Sequence, residues 1–383
     1  MGYGLKIKSG DIRVVIAWLH RWIGAILGVP FVILGITGTI LVFEDSIDRN
    51  LNPHLNSGPV VRHVSPDEMM AAAQAFSPSL PRPALIRRAL PEGGPAYVDY
   101  YIENDSGHED LKKLAVDPVS GQVLELRDWG AYAASWIYYL HMAFRAGEEG
   151  EYLVGIIGTV LSVMLIGGLW LWWPRRGQWR ASLKPGPLNG WRATSYRWHK
   201  VFGVYTVVLL LVVSVTGAGL VYFDPVVKAL RNVVPMAYPY ETKSTAVDDV
   251  SSITADTALA RALDLYPEAR WERIVFPEGK LDAWLVMLYA ADDSGTYPAP
   301  YPDISVWVDR YSGEIVGDFH ATRDATIGDA IMWSLFPLHN GSQLGLAGRL
   351  LIAFSGVIPM FFLVTGLIGW VLRPRRVKSG RIA

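Results

Sequence analysis

Apolar residues are distributed along this chain in two different rhythms. In four stretches, 22–43, 153–173, 201–223 and 350–372, they run on almost without interruption. As helix, about 20 such residues cross a hydrocarbon core of roughly 30 Å. The pattern therefore predicts a membrane α-helical bundle of four transmembrane helices.

The rhythm changes in the polar segments that follow the first and third stretches. Residues 97–102, 114–117 and 122–126 alternate apolar with polar, as do 283–289, 304–309 and 314–316, which predicts strands. Residues 65–74 and 255–263 open on hydroxyl or acidic residues and continue with alanine-rich helix formers. Asp117-Pro-Val-Ser-Gly121 and Asp309-Arg-Tyr-Ser-Gly313 fall between strand runs as hairpin turns. Each polar segment thus reads as an α+β module. The stretch 296–302, rich in Pro and Tyr, is assigned no element.

These similarities are part of a two-fold internal repeat. His20-Arg-Trp-Ile-Gly24, Thr37-Gly38 and Asp45 recur as His199-Lys-Val-Phe-Gly203, Thr216-Gly217 and Asp224, all displaced by 179. Leu140-His141 before the second apolar stretch matches Leu338-His339 before the fourth. The second and fourth stretches both end in a basic run, Trp173-Pro-Arg-Arg and Arg373-Pro-Arg-Arg. The expected division is 1–43, the N-terminus and first span; 44–135, module 1; 136–173, an interfacial segment and second span; and 174–200, a basic loop. Then come 201–223, the third span; 224–330, module 2; 331–372, an interfacial segment and fourth span; and 373–383, a basic tail.

Charge fixes the expected orientation. Every acidic residue except Asp11 lies within 44–151 or 224–329. The loop 174–200 holds seven Lys/Arg and no acid, and Arg373, Arg375, Arg376, Lys378 and Arg381 follow the last span. The positive-inside rule puts both termini and that loop in the cytoplasm and both modules on the opposite face. The first span reads as uncleaved, because its apolar run exceeds a signal peptide's and no small-residue cleavage site follows. With no cysteine in 383 residues, disulfides, iron–sulfur clusters, thiolate metal sites and covalent c-type haem are excluded.

The candidate chemistry lies in four of the eight histidines. His54, His63, His108 and His320 fall in polar, turn-rich sequence and read as solvated surface residues. His20, His141, His199 and His339 each stand at the start of a span or just before it. Ionisable groups beside the apolar zone are costly and tend to mark function, and four equivalent positions need a shared cause. Topology pairs His20 with His199 at the cytoplasmic boundary and His141 with His339 at the outer one. Two imidazoles with no other soft ligand suit a bis-histidine haem b, held axially, better than four-coordinate zinc. Two haems are expected, one per pair, each six-coordinate and so suited to electron transfer.

Other side chains are drawn in by position. Gly24 and Gly38 follow His20 by one and five helical turns, as Gly203 and Gly217 follow His199, so all four are candidates for making room for a porphyrin. Close helix packing explains them equally. Arg21, Arg197, Lys200 and Arg145 flank the pairs as candidate propionate partners, or serve lipid headgroups and orientation. Thr37 and Thr216 are expected to bond back to helix carbonyls.

The strings Val-Asp-Pro-Val-Ser-Gly-Gln-Val-Leu and Val-Asp-Arg-Tyr-Ser-Gly-Glu-Ile-Val resemble the closing hairpin of PepSY modules. With the two histidine-led helix openings, nearly the whole chain resembles the PepSY-associated transmembrane family, and its layout is similar to FoxB-type siderophore reductases. That resemblance implies a bacterial inner-membrane protein with periplasmic modules that passes electrons through haem to a ferric siderophore, releasing ferrous iron. The donor, cytoplasmic or in the membrane, is left open, since no nucleotide or flavin fingerprint is present; nucleic acid is not an expected partner. Two other readings stay open: a non-enzymatic, regulatory or inhibitory PepSY module, and a siderophore permease component.

Overall fold

The computed structural model describes residues 9–56, 63–89, 93–103, 109–186, 189–239, 242–245, 250–290 and 302–371. The chain forms two compact units, one of residues 1–42, 140–223 and 338–383, the other of 43–139 and 224–337. In chain order the elements are helices α1 Ser9–Ile26, α2 Gly28–Leu41, α3 Glu44–Leu51 and α4 Pro66–Phe76, then strands β1 Leu85–Arg87, β2 Ala96–Glu103, β3 Glu109–Val116 and β4 Val123–Asp128. Helices α5 Ala133–Ala143, α6 Gly147–Trp172, α7 Trp179–Ser182, α8 Trp191–Val221, α9 Phe223–Arg231 and α10 Ala255–Leu265 follow. Strands β5 Arg270–Val275, β6 Trp284–Tyr289, β7 Ile304–Val308 and β8 Ile315–His320 precede α11 Ala321–Asp324, α12 Ile327–Asn340 and α13 Gly345–Val371. The basic tail from Arg373, His108 and most of 296–302 lie outside the described residues.

The first unit is helical. Three of its helices are long and apolar enough to cross a membrane, and the pair α1 and α2 makes a fourth if its 59° bend counts as one broken span. Pro30 accounts for the break, because it has no N–H to return to the carbonyl one turn back. Small residues then let helices approach. A Cβ on Gly35 of α2 would stand 2.2 Å from the Gly356 carbonyl of α13, and one on Gly356 would stand 2.2 Å from the Gly35 carbonyl. Between α6 and α8 the matching contact is Gly158 against the Ser214 backbone, with Ser162 donating a 2.9 Å hydrogen bond to Ser214. Backbone-to-backbone packing of this kind replaces the hydrophobic effect, which gives no drive between helices in lipid.

The second unit is built on one antiparallel sheet in the order β4-β3-β2-β1-β5-β6-β7-β8. The two expected modules are therefore fused, through β1 paired with β5 in the register Leu85↔Val275, Ile86↔Ile274 and Arg87↔Arg273. One face carries Ile86, Val98, Leu114, Val116, Ile274, Val286, Leu288, Ile304, Val306 and Val308, all buried in a core shared with Met69 and Ala73 of α4 and Ala258 and Ala262 of α10. Helix α4 opens on a capping box between Ser65 and Glu68, and Thr254 caps α10. The two Ser-Gly hairpins are closed alike. The Asp117 carboxylate accepts from the Val119 and Ser120 amides and the Ser120 hydroxyl, and Asp309 from the Tyr311 and Ser312 amides and the Ser312 hydroxyl. Gly121 and Gly313 then turn the chain at φ 73° and 71°.

Three of the remaining histidines differ in their settings. His54 meets Glu125 at an exposed site, and His320 bonds Thr322. His63 departs from the solvated role expected of it. It accepts a 2.8 Å bond from the Arg88 guanidinium, and burial beside that cation pushes its pKa down to about 4.

Candidate functional site

The four boundary histidines all belong to the helical unit, and its helices bring them together in two pairs. His20 on α1 and His199 on α8 have ring centroids 6.2 Å apart; His141 on α5 and His339 on α12 are also 6.2 Å apart. That separation has chemical content. Two imidazoles hydrogen-bonded through Nε2 would bring their centroids to about 5 Å, given N···N contacts of about 2.9 Å. With metal–nitrogen bonds of about 2.0 Å on opposite sides of one ion, the centroids would stand about 6.3 Å apart. Among the described residues no cluster of three or more His, Cys, Asp or Glu forms a metal site, so each pair offers two ligands and no third.

Each ring backs onto a glycine of a neighbouring helix. A Cβ added at Gly168 would lie 3.0 Å from His20, at Gly366 3.5 Å from His199, at Gly38 3.1 Å from His141 and at Gly217 2.8 Å from His339. Three of these glycines follow a threonine whose hydroxyl meets the histidine Nδ1: Thr37 at 2.9 Å from His141, Thr216 at 3.2 Å from His339 and Thr365 at 3.0 Å from His199. The hydroxyls bond back to the Ile33, Val212 and Phe361 carbonyls one turn earlier, leaving their oxygens to accept. The Val213 carbonyl also faces His339 Nδ1 at 3.0 Å, and a carbonyl can only accept. The proton of His339 therefore sits on Nδ1, and the Nε2 lone pair is free for a ligand.

A family model of the PepSY-associated TM region matches residues 17–373. This chain belongs to the PepSY-associated transmembrane family. A search of the curated proteins finds no match to it. With its long apolar helices, this PepSY-associated protein is a multi-pass membrane protein.

Within this PepSY-associated bundle, a largely apolar cavity of about 1510 Å³, counting space open to its surroundings, lies about His20 and His199. Gly24 and Gly203 line it, and nothing stands within 4 Å of where their Cβ atoms would be. Arg21 and Lys200 line it as well. Arg197 is directed elsewhere, donating to the Lys184 and Ala181 carbonyls, and Arg145 is exposed in a turn at φ 60°.

Gly38 and Gly217 require a correction. Turn counting groups them with His20 and His199, but they pack against His141 and His339. The break between α1 and α2 invalidates the count for Gly38. Along unbroken α8, eighteen residues do keep Gly217 on the face of His199, but about 27 Å farther along the axis. Sequence reading also passed over Gly168, Gly366 and Thr365. Their signal was the dipeptide Thr-Gly, which occurs at 37, 216 and 365, with Gly167-Gly168 at the corresponding place in the second span.

Proposed function

We propose that this protein is a di-haem b transmembrane electron-transfer protein that reduces ferric siderophore in the periplasm and releases ferrous iron. The observation that carries the haem reading is the matched pair of histidine pairs, each at 6.2 Å, each ring backed by a glycine. A haem in either pair would supply a one-electron ferric/ferrous couple.

The chain's own residues do the rest. His20 with His199, and His141 with His339, are the imidazole pairs that would each hold a haem iron, with their ring centroids 6.2 Å apart. At His141, His199 and His339 threonine hydroxyls fix ring orientation and tautomer, the outer-shell role that tunes a metal site. Gly24 and Gly203 leave the cavity wide beside the first pair, and Arg21 and Lys200 put positive charge where propionates would lie. Two sites about 27 Å apart along α8 divide a crossing of roughly 30 Å.

Direction follows from charge. The basic loop 174–200 puts His20 and His199 on the cytoplasmic side, where electrons enter, and the acidic segments put His141 and His339 on the periplasmic side, where they leave. The symmetry of elements about the β1–β5 pair supports origin from one repeated unit. The choice of ferric siderophore rests on the resemblance to FoxB-type reductases. One electron converts its iron to the ferrous state, a softer ion held less firmly by hard oxygen ligands.

The test is a visible spectrum of purified protein from haem-sufficient cells. A sharp Soret band, with narrow α and β bands after dithionite, is expected; a colourless preparation overturns the haem reading. Vesicles loaded with reductant and given ferric siderophore outside should produce ferrous iron, trapped by a chelator, with no siderophore crossing. Siderophore uptake without reduction would favour a permease.

A further inference from the structure

The four histidine settings share a glycine at the ring but not the group that meets Nδ1. His141, His199 and His339 each meet a threonine hydroxyl at Nδ1. At His20 the corresponding residue is Gly167, and Nδ1 is buried without a partner; the Met164 carbonyl faces it without closing a bond of normal geometry. A histidine whose outer nitrogen is unheld is free to turn about its side-chain torsions, and it gains less basicity as a ligand. The same ring borders the cavity, so it has space to turn into.

We propose that His20 is the exchangeable axial ligand of this protein, so that of its two haem sites only the one between His20 and His199 takes up a small neutral ligand such as carbon monoxide. This rests on the haem reading above. The exchange breaks the bond from iron to His20 Nε2 and forms one from iron to the incoming carbon; no electron or proton is transferred, and the displaced imidazole stays neutral. Gly167 acts through His20 as a positioning residue.

The experiment is carbon monoxide titration of the dithionite-reduced protein, followed in the Soret band. About half of the haem absorption should shift. Gly167→Thr and Gly167→Ser restore a hydroxyl and should slow that uptake by about tenfold or more. Gly167→Ala adds bulk without a hydroxyl and should leave the rate unchanged. The β-carbon common to all three meets only Ile16, at 3.4 Å. Thr37→Gly and Thr216→Gly should extend uptake to the second haem. Uptake by both haems of the unaltered protein, uptake by neither, or equal rates in Gly167→Thr and Gly167→Ala would overturn the proposal. A colourless protein would instead sink the haem reading, so the two failures are distinct.

Discussion

The two halves of the chain match at the helix contacts and histidine settings, although α1 and α2 are bent by 59° where α8 runs on, and they diverge across one face of the sheet. Among the helices, Gly35 against Gly356 answers Ser214 against Gly158, and all four histidines are backed by a glycine, with the threonine hydroxyl absent only at Gly167. On the sheet face turned away from α4 and α10, Asp99, Lys113 and Arg127 stand in cross-strand register in the first half. The corresponding register of the second half holds Met287, Ser305 and Phe319. The first set is ion-paired: Arg87 with Asp99, and Arg127 with Asp48 through two bonds of 2.7 and 2.9 Å. The second is aromatic, with Tyr238 packed against Trp307, Phe319 and Trp333. The difference teaches that backbone proximity tolerates almost no change where glycine sets it, whereas a sheet face can be closed equally well by paired charge or by rings.

The largest test of the matching half of this comparison is removal of one of the proposed haem ligands. Replacing any one of His20, His199, His141 or His339 with Ala should abolish roughly half of the reduced-minus-oxidised haem signal and spare the rest, one site per pair. Loss of the whole signal from a single replacement would mean that the pairs are not independent.

A smaller effect separates the two sites by their glycines. Gly217→Ala would put a methyl 2.8 Å from His339, whereas Gly366→Ala would put one 3.5 Å from His199, an ordinary contact. The first should cost about 1–3 kcal/mol by overpacking and lower haem content at its site; the second should be close to neutral. Equal loss in both, read as haem per protein and thermal midpoint, would show that ring clearance does not decide retention.

Finer still is the effect of the hydroxyls on potential. A hydrogen bond at Nδ1 gives the imidazole more anionic character and favours ferric iron. Thr216→Val should therefore raise the midpoint of its site by a few tens of millivolts, since about 1.4 kcal/mol corresponds to 59 mV for one electron. Gly167→Thr should move the other site the opposite way. A redox titration resolving two waves checks both signs.

Much of this architecture was legible in the chain. The spans follow from uninterrupted apolar runs, and the four histidines stand out because equivalent positions recur. Strands β1 and β5 were not legible, although they join the modules. Strand β1 has three residues just after Pro81 and Pro83, and β5 interleaves Arg270, Glu272 and Arg273 with its apolar side chains, across a register shift between Trp271 and Arg273. Neither presents a clean alternation. Which glycine serves which histidine was likewise hidden, because it depends on how helices lie beside one another and on the bend at Pro30.

The last expected effect, confined to one pH window per residue, concerns the charged sheet face. Burial, with Asp45 adding to it, pushes the Glu44 carboxyl up to about 7, and burial beside Arg87 pushes the Lys113 ammonium, 3.4 Å over the Trp129 ring, down to about 7. A carboxyl with a raised folded pKa contributes stability that is complete below its ordinary value of 4.5 and is lost as pH rises through about 7. For the depressed lysine the contribution is complete above 10.5 and is lost as pH falls through about 7. Glu44→Gln should therefore stabilise the protein at pH 8, by on the order of 1–2 kcal/mol after allowance for screening and read as a raised thermal midpoint, and change little at pH 4. Lys113→Met should do the reverse, gaining at pH 5 and little at pH 11. Ser305, which holds the place of Lys113 in the other half, carries no titrating group, so Ser305→Ala should shift the midpoint equally at pH 4 and pH 8, below the titration of the Tyr238 hydroxyl it bonds. A gain from Glu44→Gln that is larger at pH 4 than at pH 8 would mean that this carboxylate is stabilised by its cationic neighbours, and that the charged face is held together by ion pairing throughout.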